Sequence, residues 1–372
     1  MLKKRILSFL GAAALTAALT FAVVSLSPSN GFTSGSMQEG MSYEVCGVSP
    51  DAVVASLDGN GASADLITYW IGYNATYLNS YMQHYGGGAL DWDYTMSDGT
   101  AMPDYIKQDV LATVKQELLI ENLASKYGVT LTDEQRAAIE SDEQNFITQY
   151  GSEEAFDEEL AKLGLRRETY ERITATNYLY QNLYKLYLTE GSALYVSDED
   201  LAAYAAAQNY ITADHILLTT VDTATGEALS DETIAEKKAL AEELAEKLKN
   251  YTGDDLASYF AELADEYSED PGRASYPTGY TFTTGSMVKE FEDAAYALDE
   301  GAVSDIVESS FGYHILLRLP LDKAAAAESV REAYFTNFID EQLEKVTLAT
   351  SEQFDALDAQ ALYEAITAAQ AK

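Results

Sequence analysis

Few residues of this chain can carry chemistry, and the histidines are the scarcest. Among 372 residues there are three, His84, His215 and His314, beside a single cysteine, Cys46. An imidazole changes charge near neutral pH, donates and accepts protons, and binds metals. His215 opens the run His215-Ile216-Leu217-Leu218, and His314 opens a second apolar run that ends at Leu319, so each sits on a short strand-forming stretch. Two readings stay open at this point: a pair of satisfied core histidines bonded across adjacent strands, or a polar cluster in a cleft. A metal site is disfavoured, because His84 has no partner at ligand spacing. Nothing in the flank of Cys46 lowers its pKa, so it reads as an inert thiol, and a lone cysteine leaves no internal disulfide.

The elements that must position these residues follow from periodicity. After the first strand, a polar turn over 222–227 leads into a helix in which Leu240, Leu244 and Leu248 recur every fourth residue. Leu256, Phe260, Leu263 and Tyr267 form a second helical stripe, and Tyr280-Thr281-Phe282 reads as an edge strand. Phe291, Ala295 and Leu298 mark a third helix, closed by Gly301. The runs 303–307 and 314–319, split by Ser309-Ser310-Phe311-Gly312, read as a hairpin. The order strand, two helices, strand, helix, hairpin describes one compact α+β domain.

This pattern, with Ala213-Asp214-His215 at one end and Phe291 through Leu319 at the other, resembles the parvulin family of peptidyl-prolyl cis/trans isomerases. The resemblance implies an α+β domain with a small mixed sheet and surrounding helices. It also implies an active-site cleft in which His215 and His314 are the paired histidines. Ser309 then takes the hydroxyl position of their network, and Asp270 the position that holds cysteine or aspartate in different members. Met287 and Phe291 match the pocket for the proline ring. The chain departs from the family at Tyr276-Pro277-Thr278-Gly279-Tyr280-Thr281-Phe282, where many parvulins carry Gly-Gly-Asp-Leu-Gly. Tyr280 or Phe282 is expected to supply the missing apolar wall. Neither a cofactor nor a metal is implied.

The reaction makes and breaks no bond. It lowers a rotation barrier of roughly 18–20 kcal/mol set by amide resonance. A pocket for the ring, exclusion of water and polar groups suited to the twisted amide are sufficient. Phosphate-directed parvulins place basic residues after the first strand, but the stretch 219–227 contains none, so a phosphoserine-proline preference is not expected.

Lys3-Lys4-Arg5 precedes a charge-free stretch over 6–26, which reads as a signal peptide or an uncleaved membrane anchor within 1–30. Membrane contact is expected only there, and Cys46 lies too late for a lipid attachment site. A net charge of -38, from 61 acidic and 23 basic residues, argues against nucleic acid and anionic surfaces as partners. The expected partners are unfolded or newly secreted polypeptides.

The remaining expectations are a flexible linker over 31–50, a helical region over 51–204, the isomerase domain over 205–322, and a helical segment over 323–372. Val53 to Leu57 reads as a strand. Pro103 and Gly128 bracket one helix, Thr132-Asp133-Glu134-Gln135 is a capping box, and Ser197 starts the last helix before the domain. This region resembles, more loosely, the helical chaperone part of SurA- and PrsA-type foldases. The resemblance implies that the tail returns to one helical lobe into which the isomerase is inserted. Tyr69, Tyr73, Tyr77, Tyr81 and Tyr85 recur every fourth residue. Core packing is the default for such a stripe, and a partly exposed face for non-native segments is the alternative. The rival to a foldase is a holdase whose isomerase domain has lost turnover.

Overall fold

The computed structural model describes residues 32–85, 88–222 and 225–372. The elements, in chain order, are α1 (Met41–Cys46), β1 (Val53–Leu57), β2 (Asn60–Ser63), α2 (Ala64–Tyr85), α3 (Met102–Tyr127), α4 (Asp133–Tyr150), α5 (Glu153–Lys162) and α6 (Arg167–Leu188). They continue with α7 (Asp198–Ala207), β3 (Ile211–Thr219), α8 (Asp231–Lys249), α9 (Leu256–Tyr267), β4 (Tyr280–Phe282), α10 (Lys289–Ala297), β5 (Val307–Glu308) and β6 (Gly312–Leu319). The last are α11 (Lys323–Lys345), β7 (Ala349–Thr350), α12 (Glu352–Asp355) and α13 (Ala359–Gln370). Two compact units result: Tyr195–Asn337, and the chain up to Leu194 together with Phe338–Lys372. The run over 6–26 lies outside the described residues, and no helix among those described is long and apolar enough to cross a membrane.

In the helical unit, local signals act where the sequence places them. Pro103 sits in the first turn of α3, whose end is closed by Gly128 in the left-handed region with its N–H on the Ala124 and Ser125 carbonyls. Thr132 and Gln135 exchange both bonds of a capping box at the start of α4. Strand β1 is central, flanked antiparallel by β2 and by β7 from the far end of the chain. The segment expected as a flexible linker is instead held in place. The Asp51 carboxylate accepts the Ser36 and Met37 N–H groups at 2.9 and 3.2 Å, Val48 is buried, and α1 packs on α13 and α2. A carboxylate–amide cluster of this kind offsets part of the entropy of ordering the chain.

Along α2 the core is made by Leu66, Ile67, Ile71 and Ala75. The tyrosines lie about two residues round from Ile67 and Ile71, on another face of the helix. Tyr69 and Tyr73 are half-buried, whereas Tyr77 and Tyr81 are 45% and 37% exposed. Among the described side chains, the stripe is therefore half-buried at Tyr69 and Tyr73 and reaches solvent at Tyr77 and Tyr81.

The α+β unit is built on the sheet β4-β3-β6-β5. Every pair is antiparallel, where a mixed sheet was expected. Parallel neighbours need a crossover that carries the chain back to the starting end of the first strand. Here two helices intervene, and the Glu269 N–H bonds the Leu217 carbonyl, so the chain after α9 re-enters at the end where β3 finished. The run over 303–307 is also broken: it pairs with β6 at Val303 and again only from Val307.

Alternation along β3 and β6 divides the unit into two layers. Ile216, Leu218, Tyr313, Ile315 and Leu317 pack with Leu244, Leu248, Phe260 and Leu263 of α8 and α9. The other face places Ile211, Ala213 and Leu316 against Phe291 and Ala295 of α10. His215 and His314 have this second parity.

Candidate active site

His215 pairs across the ladder with Leu316, and His314 with Leu217, so the two histidines are diagonal neighbours on one face. Their rings lie nearly parallel, with Nδ1 atoms 3.2 Å apart. His215 Nε2 lies 3.1 Å from Asp270 Oδ2, and His314 Nε2 lies 2.7 Å from Ser309 Oγ. The structure thus brings all four sequence-expected polar residues into one hydrogen-bonded row.

Backbone anchors hold both ends of that row. Ser268 Oγ accepts the Leu217 N–H, and with the Glu269–Leu217 bond it ties the start of the Asp270 loop to β3. Arg273 donates to the buried Asp214 at 2.6 Å and to Asp265 at 2.8 Å, fixing the loop's far side. At the other end, Ser309 Oγ accepts the Phe311 N–H at 3.1 Å. Gly312 has φ 147°, and a Cβ there would run into the Leu218 carbonyl, so the turn that carries Ser309 requires glycine.

Electrostatics give the row a direction. Burial pushes the Asp270 carboxyl up, but bonds from His215, Tyr280 and the Gly272 N–H outweigh it and hold the group well below the usual carboxylate range. Burial and then the charge of His215 push His314 down to about 4, against the opposing pull of Asp270. With Asp270 ionised, His215 Nε2–H donates to it. In the state with both imidazoles neutral, His314 Nδ1–H must then donate to His215 Nδ1, and Ser309 O–H to His314 Nε2. Every proton in the row has a partner within the row. Such a row can offer fixed dipoles, and it holds no free proton to give up.

The apolar positions divide. Phe291 is 3% exposed and turns its edge to both imidazoles, at 5.1 Å from His215 and 5.6 Å from His314. Met287 is half-buried in the same cluster. Phe282, expected as a wall, is a core residue behind Phe291 at 5.7 Å. Tyr280 keeps the half-buried position, and its phenol donates to Asp270 Oδ2 at 2.6 Å. Burial and then Asp270 push that phenol up, so it stays a donor. Sequence reasoning missed this bond and the Asp214–Arg273 pair, since neither partner's spacing signals the other.

Residues 215–319 match the model of the PPIC-type PPIASE domain of the rotamase family. This segment is a parvulin-type domain. The chain is 52% identical over 77 residues to foldase protein PrsA 4 of Bacillus cereus, a match covering 20% of this chain and 25% of that protein. It is 27% identical over 256 residues to foldase protein PrsA of Staphylococcus aureus, covering 68% and 71%. The crystal structure of PrsA from Bacillus subtilis is 22% identical and covers 75% of this chain and 91% of that one, at a TM-score of 0.25, too low to carry an argument.

One pH dependence follows for the parvulin domain. His314 is depressed from an ordinary 6.5 to about 4. Its neutral burial therefore contributes stability that is present above pH 6.5 and lost as pH falls through about 4. Hydrogen-exchange protection of β3 and β6 amides should fall over that window, and by less in His314→Gln than in the parent. Equal losses would place the acid sensitivity elsewhere.

Proposed function

We propose that this chain is an extracytoplasmic foldase whose parvulin domain isomerises Xaa-Pro bonds in unfolded or newly secreted proteins, while the helical unit holds the client. The observation that carries it is the row Asp270–His215–His314–Ser309 with the Phe291 ring standing nearly perpendicular to both imidazoles, a ring-sized apolar position beside fixed dipoles. His215, His314, Asp270 and Ser309 favour the twisted amide, Phe291 and Met287 hold the proline, and Tyr280 walls the cleft. The basic and apolar sequence over 3–26 supports export, by a cleaved signal or a retained anchor.

Client binding is supported by a cavity of about 290 Å³ in the helical unit, lined by Tyr69, Tyr73 and Tyr77 of α2 with Leu163, Ile366 and Gln370. Tyrosine joins an apolar body to a polar tip, which suits loose contact with unfolded segments of varied sequence. A holdase without turnover is the second reading, favoured by the loop Tyr276-Pro277-Thr278-Gly279 standing where the family carries its apolar leucine.

Exchange NMR on unphosphorylated Xaa-Pro peptides, with no protease present, tests the main reading. The parent chain should accelerate exchange, and phosphorylating the residue before proline should give no gain, since the described part of 219–227 offers no cation. A phosphoserine gain would overturn the specificity, and no acceleration of any peptide would leave the holdase. In the same chain, replacing Tyr73 and Tyr77 by Ser should weaken suppression of client aggregation while leaving peptide exchange intact.

A further inference from the structure

Two large aromatic rings of the parvulin domain stand out in solvent, and each is attached to one end of the hydrogen-bonded row. Tyr276, 52% exposed, packs its ring 4.7 Å from that of Tyr280, whose phenol closes the row at Asp270. Phe311, 50% exposed, donates its N–H to Ser309, which closes the row at His314. Singly exposed aromatics need no explanation. Two that bracket the same polar row do.

Both residues are held firmly through their backbones. The Tyr276 N–H bonds the Gly272 carbonyl at 3.0 Å and its own carbonyl takes the Gly279 N–H at 3.1 Å. Gly279, at φ 89°, lies so close to the backbone of Ala213 that a Cβ would come within 2.7 Å of its carbonyl oxygen, which presses this loop onto β3. Phe311 accepts the Thr220 N–H at 3.0 Å and precedes the constrained Gly312. A backbone fixed in advance loses little entropy on contact, which favours selective binding. Asp270 lies under Tyr280, and Glu308, Asp222 and Glu227 lie near the turn and the strand that hold Phe311, while the one cation of the 270–276 loop, Arg273, is taken up by Asp214 and Asp265.

We infer that Tyr276 and Phe311 are specificity-determining residues that receive the side chains flanking the proline, selecting aromatic and large aliphatic neighbours and rejecting acidic ones. This deepens the isomerase reading and rests on it. The departure of the 276–279 loop from the family pattern is then a change of preference.

The test uses the full chain and unphosphorylated peptides with Ala, Leu, Phe or Glu on either side of proline, followed by exchange NMR. The parent should favour Phe over Ala at one or both flanks by about fivefold or more, the size of a good aromatic contact, with Glu poorest. Tyr276→Ser and Phe311→Ser should each cost the Phe peptide several times more than the Ala peptide at the flank they serve. A parent with no Phe preference, or variants in which Phe and Ala peptides fall together or not at all, overturns the assignment. If no peptide is accelerated, the isomerase reading fails, and chemical-shift titration of the same peptides decides this one separately. Tighter binding of Phe than Ala peptides, lost in the variants, upholds it; equal affinities reject it.

Discussion

Replacing Phe291 by alanine is expected to lower kcat/KM for peptide isomerisation by more than about tenfold, a barrier change of roughly 1.4 kcal/mol. The ring is buried against Ala295, Leu316 and Phe282, and its edge meets both imidazoles. Truncation removes the proposed proline pocket and leaves a void under the polar row, so the domain should also lose about 3–5 kcal/mol of stability. That loss is large enough to confuse the readings, so rates belong at low temperature with the folded fraction measured by NMR. Phe291→Leu keeps most of the volume and should retain the fold while losing the edge contacts, giving a smaller rate defect. A folded Phe291→Ala chain with the parent's rate would remove Phe291 from the pocket.

The second large effect is expected in the helical unit, at Arg172. Its guanidinium grips Glu121 of α3 through two bonds of 2.7 and 2.6 Å and reaches the Gly61 carbonyl at 2.7 Å and Asn60 at 3.1 Å. One side chain of α6 thereby fastens α3 and β2. Glu117 lies one turn before Glu121 on α3 and accepts the Trp70 indole at 3.2 Å. Burial, then the charge of Glu121, push Glu117 up to about 8, partly offset by Arg172. Near neutrality the cluster then holds one carboxylate for one guanidinium. Arg172→Met strands the Glu121 charge and the Gly61 carbonyl together, which should cost about 3–5 kcal/mol.

Trp70 fluorescence during denaturation reads that loss, and adding Glu121→Gln should restore much of it. Unchanged midpoints for Arg172→Met would mean that the cluster contributes nothing. The same unit should weaken on the alkaline side. A carboxyl raised from 4.5 to about 8 contributes stability that is complete below pH 4.5 and lost as pH rises through about 8.

What could be read in advance was whatever a short stretch states by itself. Pro103, Gly128, Thr132 and Gln135 act within one helical turn, and β3 and β6 show their apolar alternation without help from distant residues. The two histidines were legible because they are rare and sit on strands. What stayed hidden depends on partners far along the chain. Glu121 and Arg172 look like solvated helix positions until α3 and α6 pack, and Asp51 gives no sign that it will gather Ser36 and Met37. Phe282 and Tyr280 share one face of β4, and only the placement of α10 and of Asp270 tells which is core and which reaches the polar row. The tyrosine stripe was ambiguous for a related reason: its spacing defines a helix face, but what covers that face comes from α13, almost three hundred residues later.

The pairing of β7 with β1 joins Ala55 to Thr350 and Ser56 to Ala349, across nearly the whole described chain. Tyr195–Asn337, by contrast, is one uninterrupted stretch. During synthesis the chain emerges amino end first, so the stretch begun second can be completed first. The unit begun first must wait for its final strand and for Ile366 of α13, which lines the tyrosine cavity. Translation thus imposes a sequence of events that the finished molecule conceals: a ribosome that stopped after Asn337 would release a completed parvulin-type domain attached to a lobe with one wall missing.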